Sequence, residues 1–120
     1  MRGMTRLFVA VGASAGLTAV GMAAYSAHAA IDPTRATALA NAVQMQGWHA
    51  LALLFTGLWA ERGGWLARAA GLGFIVGMLL FCGAVYASIL GGIRMGPVAP
   101  TGGTVLMLAW ALLAASALRR

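Results

Sequence analysis

Four long apolar runs limit what this chain can become. They cover about 7–27, 38–60, 66–90 and 100–118, and the only charge inside any of them is Arg68, near the start of the third. A helix of roughly 20 residues spans a hydrocarbon core of about 30 Å, with about 17–25 tolerated, and all four runs fit. A soluble alternative fails on composition: 62% of the residues are hydrophobic and 8% charged, where soluble domains carry about 25% charged residues. A chain of 120 residues cannot bury four such runs in one core and cover that core with its few charges. Disorder needs low hydrophobicity and high charge, and is excluded. The expected fold class is all-α: one membrane domain over 1–120, an integral four-helix bundle.

The joints carry helix-boundary signals. Asp32-Pro33-Thr34 reads as a turn or helix start, and proline fits a first helical turn, where its missing N–H costs nothing. Pro97 and Pro100 suit the start of the last span in the same way. Glu61-Arg62-Gly63-Gly64 is expected as a loop, flanked by Trp59 and Trp65 at the membrane interface. Gly91-Gly92 suits a helix C-terminus, where glycine accepts the left-handed conformation. Short connections place successive helices side by side and antiparallel.

The charges orient this arrangement. There are eight basic side chains, all Arg, against Asp32 and Glu61. Four spans would put Arg2, Arg6, Arg62, Arg68, Arg119 and Arg120 on one side, and Arg35 and Arg94 on the other. Cytoplasmic flanks are enriched in Lys and Arg, so both termini are expected in the cytoplasm. The arginines form no basic stripe, which argues against nucleic acid as a partner. Residues 1–30 also resemble a secretory signal ending in Ala27-His28-Ala29. Its apolar stretch is nearer twenty residues than the usual 7–15 or so, and it is read as a span.

Few residues offer chemistry. His28 and His49 invite a bis-histidine haem, but such a pair must meet one iron at a common depth. At 1.5 Å per residue, His49 lies about 10–15 Å deeper in the membrane than His28. Both are therefore expected to hydrogen-bond neighbouring helices, and no cofactor or metal is assigned. Gln46, His49 and Thr56 fall within about an 80° arc of one helix. A polar face within a membrane should point into a bundle or a protein interface. Topology adds Tyr25, Tyr86, Cys82, Thr101 and Thr104 near the outer leaflet, a cluster that could pack helices together or hold a quinone head group. Neither carboxylate lies at mid-membrane, against a proton-coupled transporter. Cys82 stands alone, without a disulfide partner or Cys-based zinc site, and no charge beside it favours the thiolate. Gly12 with Gly16, and Ala69 with Gly73 and Gly77, put small residues four apart, a spacing that lets helices approach closely.

Four strings together resemble one family. They are Gly21-Met-Ala-Ala-Tyr-Ser-Ala-His28-Ala, Gln46-Gly-Trp48-His49-Ala-Leu-Ala-Leu, Leu80-Phe-Cys-Gly83-Ala-Val-Tyr86 and Val98-Ala-Pro100-Thr-Gly102-Gly103. Their order and spacing resemble the bacterial domain of unknown function 423, related to the transmembrane protein 256 group. The first string departs from the family's Ala-Phe-Gly-Ala-His pattern at Tyr25 and Ser26. The resemblance implies a small four-helix protein of the bacterial inner membrane and brings no activity with it.

The expectation is a non-catalytic accessory or assembly subunit of a larger respiratory or photosynthetic membrane complex, with the lipid bilayer and other integral membrane subunits as partners. Gly12, Gly16, Gln46, His49, Gly73, Gly77 and Tyr86 are its candidate packing or partner residues. A small oligomeric carrier or channel, and a haem or quinone redox module using His28 and His49, are the alternatives.

Overall fold

The computed structural model describes residues 3–119; the orientation argument's Arg2 and Arg120 lie outside them. The described residues are all-α, but they form three helices, which corrects the expected four. These are α1 (Gly3–His28), α2 (Pro33–Gly91) and α3 (Val98–Leu118), and all three are long and apolar enough to cross a membrane. The separate spans expected over 38–60 and 66–90 are one element. The loop expected at Glu61-Arg62-Gly63-Gly64 is not a loop, because only Gly64 leaves helical geometry, at φ 67° and ψ −152°. That region is essentially reserved for glycine, so a single residue turns the chain between two helical arms.

How far it turns follows from length and contacts. A straight helix of 59 residues would measure about 88 Å at 1.5 Å per residue, yet the longest extent of the molecule is 50 Å. Bonds between distant parts of α2 show the reversal. Tyr86 donates to Gln46 Oε1 at 2.6 Å, the Cys82 thiol lies 3.5 Å from the Ala42 carbonyl, and the Arg35 guanidinium donates to the Ile89 carbonyl. The two arms of α2, 33–63 and 65–91, therefore lie antiparallel.

The remaining boundaries follow the signals in the joints. Asp32 caps α2, its side chain accepting from the Arg35 N–H at 3.0 Å with Pro33 in the first turn. Gly92 closes α2 in the left-handed region at φ 66°. Pro97 precedes α3 and Pro100 sits in its first turn.

Both arms of α2 form the centre. α1 and α3 each pack on α2 and not on each other, and most buried side chains of the described residues belong to α2. Phe8 of α1 is fully buried, reaching the outgoing arm at Gly57 and the returning arm at Gly71. A Cβ on Gly71 would fall within the Phe8 ring, so that glycine makes the space the ring fills. Around this point Leu53, Phe74, Met78, Leu106 and Ala109 complete the core. Leu17, Leu51, Leu79 and Met107 are exposed, as expected where lipid is the solvent.

Because α2 reverses, the two ends of the molecule differ. At the Gly64 end, Thr5 of α1 donates to Glu61 (3.2 Å), Trp59 donates to Ser116 of α3 (2.9 Å), and the Arg119 guanidinium lies 5.6 Å from the Trp65 ring centre. The first and last described residues are thus at the same end. The opposite end carries His28, the Asp32–Arg35 pair and Arg94.

Candidate functional site

Gln46 is the polar centre of the membrane interior. It is 7% exposed and joins three segments. Its Nε2 donates to the Ala15 carbonyl (2.9 Å) and to Thr18 Oγ1 (2.6 Å) on α1, while its Oε1 accepts from Tyr86 of the returning arm. The expected polar cluster is only partly assembled. Tyr86, Cys82 and Gln46 converge, and Thr18, which the sequence did not single out, joins them. Thr56 instead bonds within its own helix to the Ala52 carbonyl, and Thr101 and Thr104 bond to the carbonyls of Pro97 and Pro100. Tyr25 is exposed.

The two histidines are not brought together. His28 ends α1 exposed, its Nδ1 3.0 Å from the Ala24 carbonyl. His49 is 3% exposed, and both of its ring nitrogens are engaged. Nδ1 lies 2.6 Å from the Met45 carbonyl and Nε2 lies 3.0 Å from Trp110 Nε1. A carbonyl only accepts and an indole N–H only donates, so the partners fix the proton on Nδ1. The imidazole also meets the rings of Phe74 and Trp110, each with centroids at 5.8 Å, and those two rings pack edge to face at 5.0 Å. Such pairs contribute roughly 0.5–1.5 kcal/mol beyond burial. This triad ties both arms of α2 to α3, and Phe74 and Trp110 were its unforeseen members. Among the described residues, no three His, Cys, Asp or Glu side chains gather as metal ligands would.

The small residues divide by what faces them. A Cβ on Gly73 would meet Ala109 Cβ at 2.9 Å, and one on Gly77 would meet Leu106 at 2.6 Å, so both face α3. Gly102, on α3, faces the backbone of Leu80 and Phe81. Gly12 faces Leu54 and the Ala50 carbonyl, at 3.0 and 3.1 Å from a Cβ. Gly16, one turn further, faces nothing within 4 Å. Beyond Gly12 the α1 helix is flanked by two grooves. One, of about 450 Å³, separates it from the returning arm; the other, of about 570 Å³, separates it from the outgoing arm beside Gly16, Gly47 and Trp48.

A polar feature missed in the sequence borders the second groove. Asn41 and Gln44 are exposed on the outgoing arm, and neither side chain has a hydrogen-bond partner among the described residues. They continue, at alternating three- and four-residue steps, into Trp48, Leu51, Phe55 and Leu58, all exposed. This is the spacing of a helix–helix seam. It was legible in the sequence, but the inward Gln46 and His49 lie on the same stretch and masked it.

Comparisons with known proteins give a family and relatives named as membrane proteins. The model of the family described as protein of unknown function (DUF423) matches residues 22–103. A UPF0382 membrane protein of Staphylococcus aureus (strain bovine RF122 / ET3-1) is 30% identical over 112 residues, covering 90% of this chain and 92% of its own. A second, from Haemophilus influenzae, is 29% identical over 115 residues, covering 92% and 93%. No solved structure matches the chain. The relatives are bacterial and are named as membrane proteins, as three membrane-length apolar helices require. The chain belongs to the DUF423 family of proteins of unknown function.

Proposed function

We propose that this protein is a non-catalytic subunit of the bacterial inner membrane that docks onto other integral membrane proteins, as an accessory or assembly factor of a larger complex. The supporting observation is the outward pair Asn41 and Gln44. Gln44 lies about 6 Å along the helix from the midpoint of its arm at 1.5 Å per residue, well inside a hydrocarbon core of about 30 Å. A carboxamide facing lipid there has no water to satisfy it, and polar groups inside a membrane find protein partners. The side chains that continue the seam below it supply apolar contact area. Gly16 and Gly47 keep the adjoining groove open enough for another helix to approach.

The arginines supply the orientation. Arg6, Arg62, Arg68 and Arg119 belong to the Gly64 end and Arg35 and Arg94 to the other. By the positive-inside rule the Gly64 end faces the cytoplasm. The same reading extends the kinship to the transmembrane protein 256 group, on the His-Ala-Leu-Ala-Leu and Pro-Thr-Gly-Gly strings.

The test is a native gel of gently solubilised membranes. The wild type should migrate in a larger assembly, and Asn41→Leu combined with Gln44→Leu should release it at unchanged abundance. Co-migration of the double variant with the same assembly would refute the docking role of this face.

A further inference from the structure

The groove between α1 and the returning arm of α2 is a separate surface from the Asn41–Gln44 seam. Ser14, Thr18, Gln46 and Tyr86 line it, together with Ile75 and Leu79. Its volume of about 450 Å³ lies within the range of roughly 300–1,000 Å³ typical of small-molecule sites. It lies between two membrane-crossing segments, so its mouth faces lipid and its ligand must be lipid-soluble.

A count of protons at these polar groups narrows the ligand's chemistry. The two Gln46 Nε2 protons go to the Ala15 carbonyl and to Thr18 Oγ1. The single Tyr86 hydroxyl proton goes to Gln46 Oε1. Thr18 donates to the carbonyl of Ser14 or Ala15, both at 3.1 Å, and Ser14 donates to the Ala10 carbonyl at 2.8 Å. These directions are fixed, because carbonyl oxygens only accept. Every N–H and O–H proton of the four polar residues is therefore used. What they retain is lone pairs, and the Tyr86 hydroxyl and Ser14 Oγ are the two oxygens among them that accept no bond at all. A ketone or an ether would find no proton without breaking an internal bond. A hydroxyl would find acceptors, and at mid-membrane depth it would find no water in their place.

We propose that this groove binds a lipid-soluble hydroxyl compound, an alcohol or phenol on an apolar body, whose O–H donates to Tyr86 or Ser14. The site is independent of the docking reading, since neither the ligand nor the groove involves Asn41 or Gln44. Gly83 allows a direct test. It lines the groove, and a Cβ there would meet nothing within 4 Å, so a larger side chain can start into the groove without a clash at its base. Gly16 is equally open but lines the other groove.

Purified protein in lipid nanodiscs is irradiated with a diazirine analogue of farnesol or with the matching methyl ether, and adducts are mapped by mass spectrometry. One net hydrogen bond corresponds to roughly 5-fold in occupancy, so the alcohol should label Ile75 and Leu79 about 5-fold more than the ether. Gly83→Leu should abolish that excess and Gly16→Leu should preserve it. Equal labelling by alcohol and ether on the wild type would overturn the proposal as ordinary contact with surrounding lipid. So would an undiminished excess in Gly83→Leu. If Gly83→Leu does not purify as a folded protein, the wild-type ratio alone decides.

Discussion

α1 and α3 pack on the same central hairpin by different means. Against α3 the seam is close at its glycines. Gly73 and Gly77 on α2, and Gly102 on α3, leave no room for a Cβ, and the His49–Phe74–Trp110 rings close the middle. Against α1 the tightest contacts are at Phe8 and Gly12, near the Gly64 end, and Ala19 is buried further along. Beyond them the helix is held by Gln46 reaching across to Ala15 and Thr18, with a groove on either side. In lipid there is no hydrophobic force between helices, so close backbone packing and hydrogen bonds must hold them. α3 is held mainly by the first and the middle of α1 by the second. A helix held by a few polar contacts leaves more surface free: the grooves beside α1, of about 450 and 570 Å³, exceed those bordering α3, of about 350 and 310 Å³.

Four substitutions probe this contrast, each read as the change in unfolding free energy in bicelles. The largest effect belongs to Phe8, where α1 is packed as tightly as α3. Phe8→Ala should cost about 3–5 kcal/mol, the usual price of removing a buried ring; a loss under about 1 kcal/mol would mean that α1 is loose along its whole length. Gly102→Val comes next. Its side chain would strike backbone at Leu80 and Phe81, which cannot rotate away, so the upper part of the usual overpacking cost of roughly 1–3 kcal/mol is expected.

Gln46→Leu should cost about 0.6–2 kcal/mol, the measured range for interhelical polar contacts in membranes. It should also increase cross-linking flexibility between α1 and α2 while leaving the α2–α3 seam unchanged. Equal loosening of both seams would break the distinction. The smallest effect is expected for Gly16→Leu, within about 0.5 kcal/mol, as for substitutions that disturb no packed contact. A large loss there would show that the groove beside Gly16 is closed in the folded protein.

Much of this was readable beforehand, and the failures have physical causes. Asp32-Pro33, Gly91-Gly92 and Pro97 marked real helix ends, because capping and left-handed backbone are local requirements. Gly63-Gly64 signalled a reversal correctly but suggested a loop. Whether a glycine pair interrupts a helix over four residues or one depends on how closely the arms pack on either side, which is a tertiary property. The inward polar face was right for Gln46, His49 and Thr56, all buried; Thr56 differs in bonding to its own helix and not to a neighbour, as a threonine can. Which side of a Gly-x-x-x-Gly pair is covered was beyond the sequence. Gly12 is covered by Leu54, whereas a Cβ on Gly16 would meet nothing within 4 Å.

The central claim is that the free surface beside α1 is for docking and that the outer face of α3 is for lipid. The most direct measurement places one photo-reactive residue in native membranes, at Gln44 in one strain and at Met107 in another. Both positions are exposed. A discrete protein–protein adduct is expected from Gln44 and only lipid adducts from Met107. A discrete protein adduct from Met107, with lipid alone from Gln44, would contradict the claim.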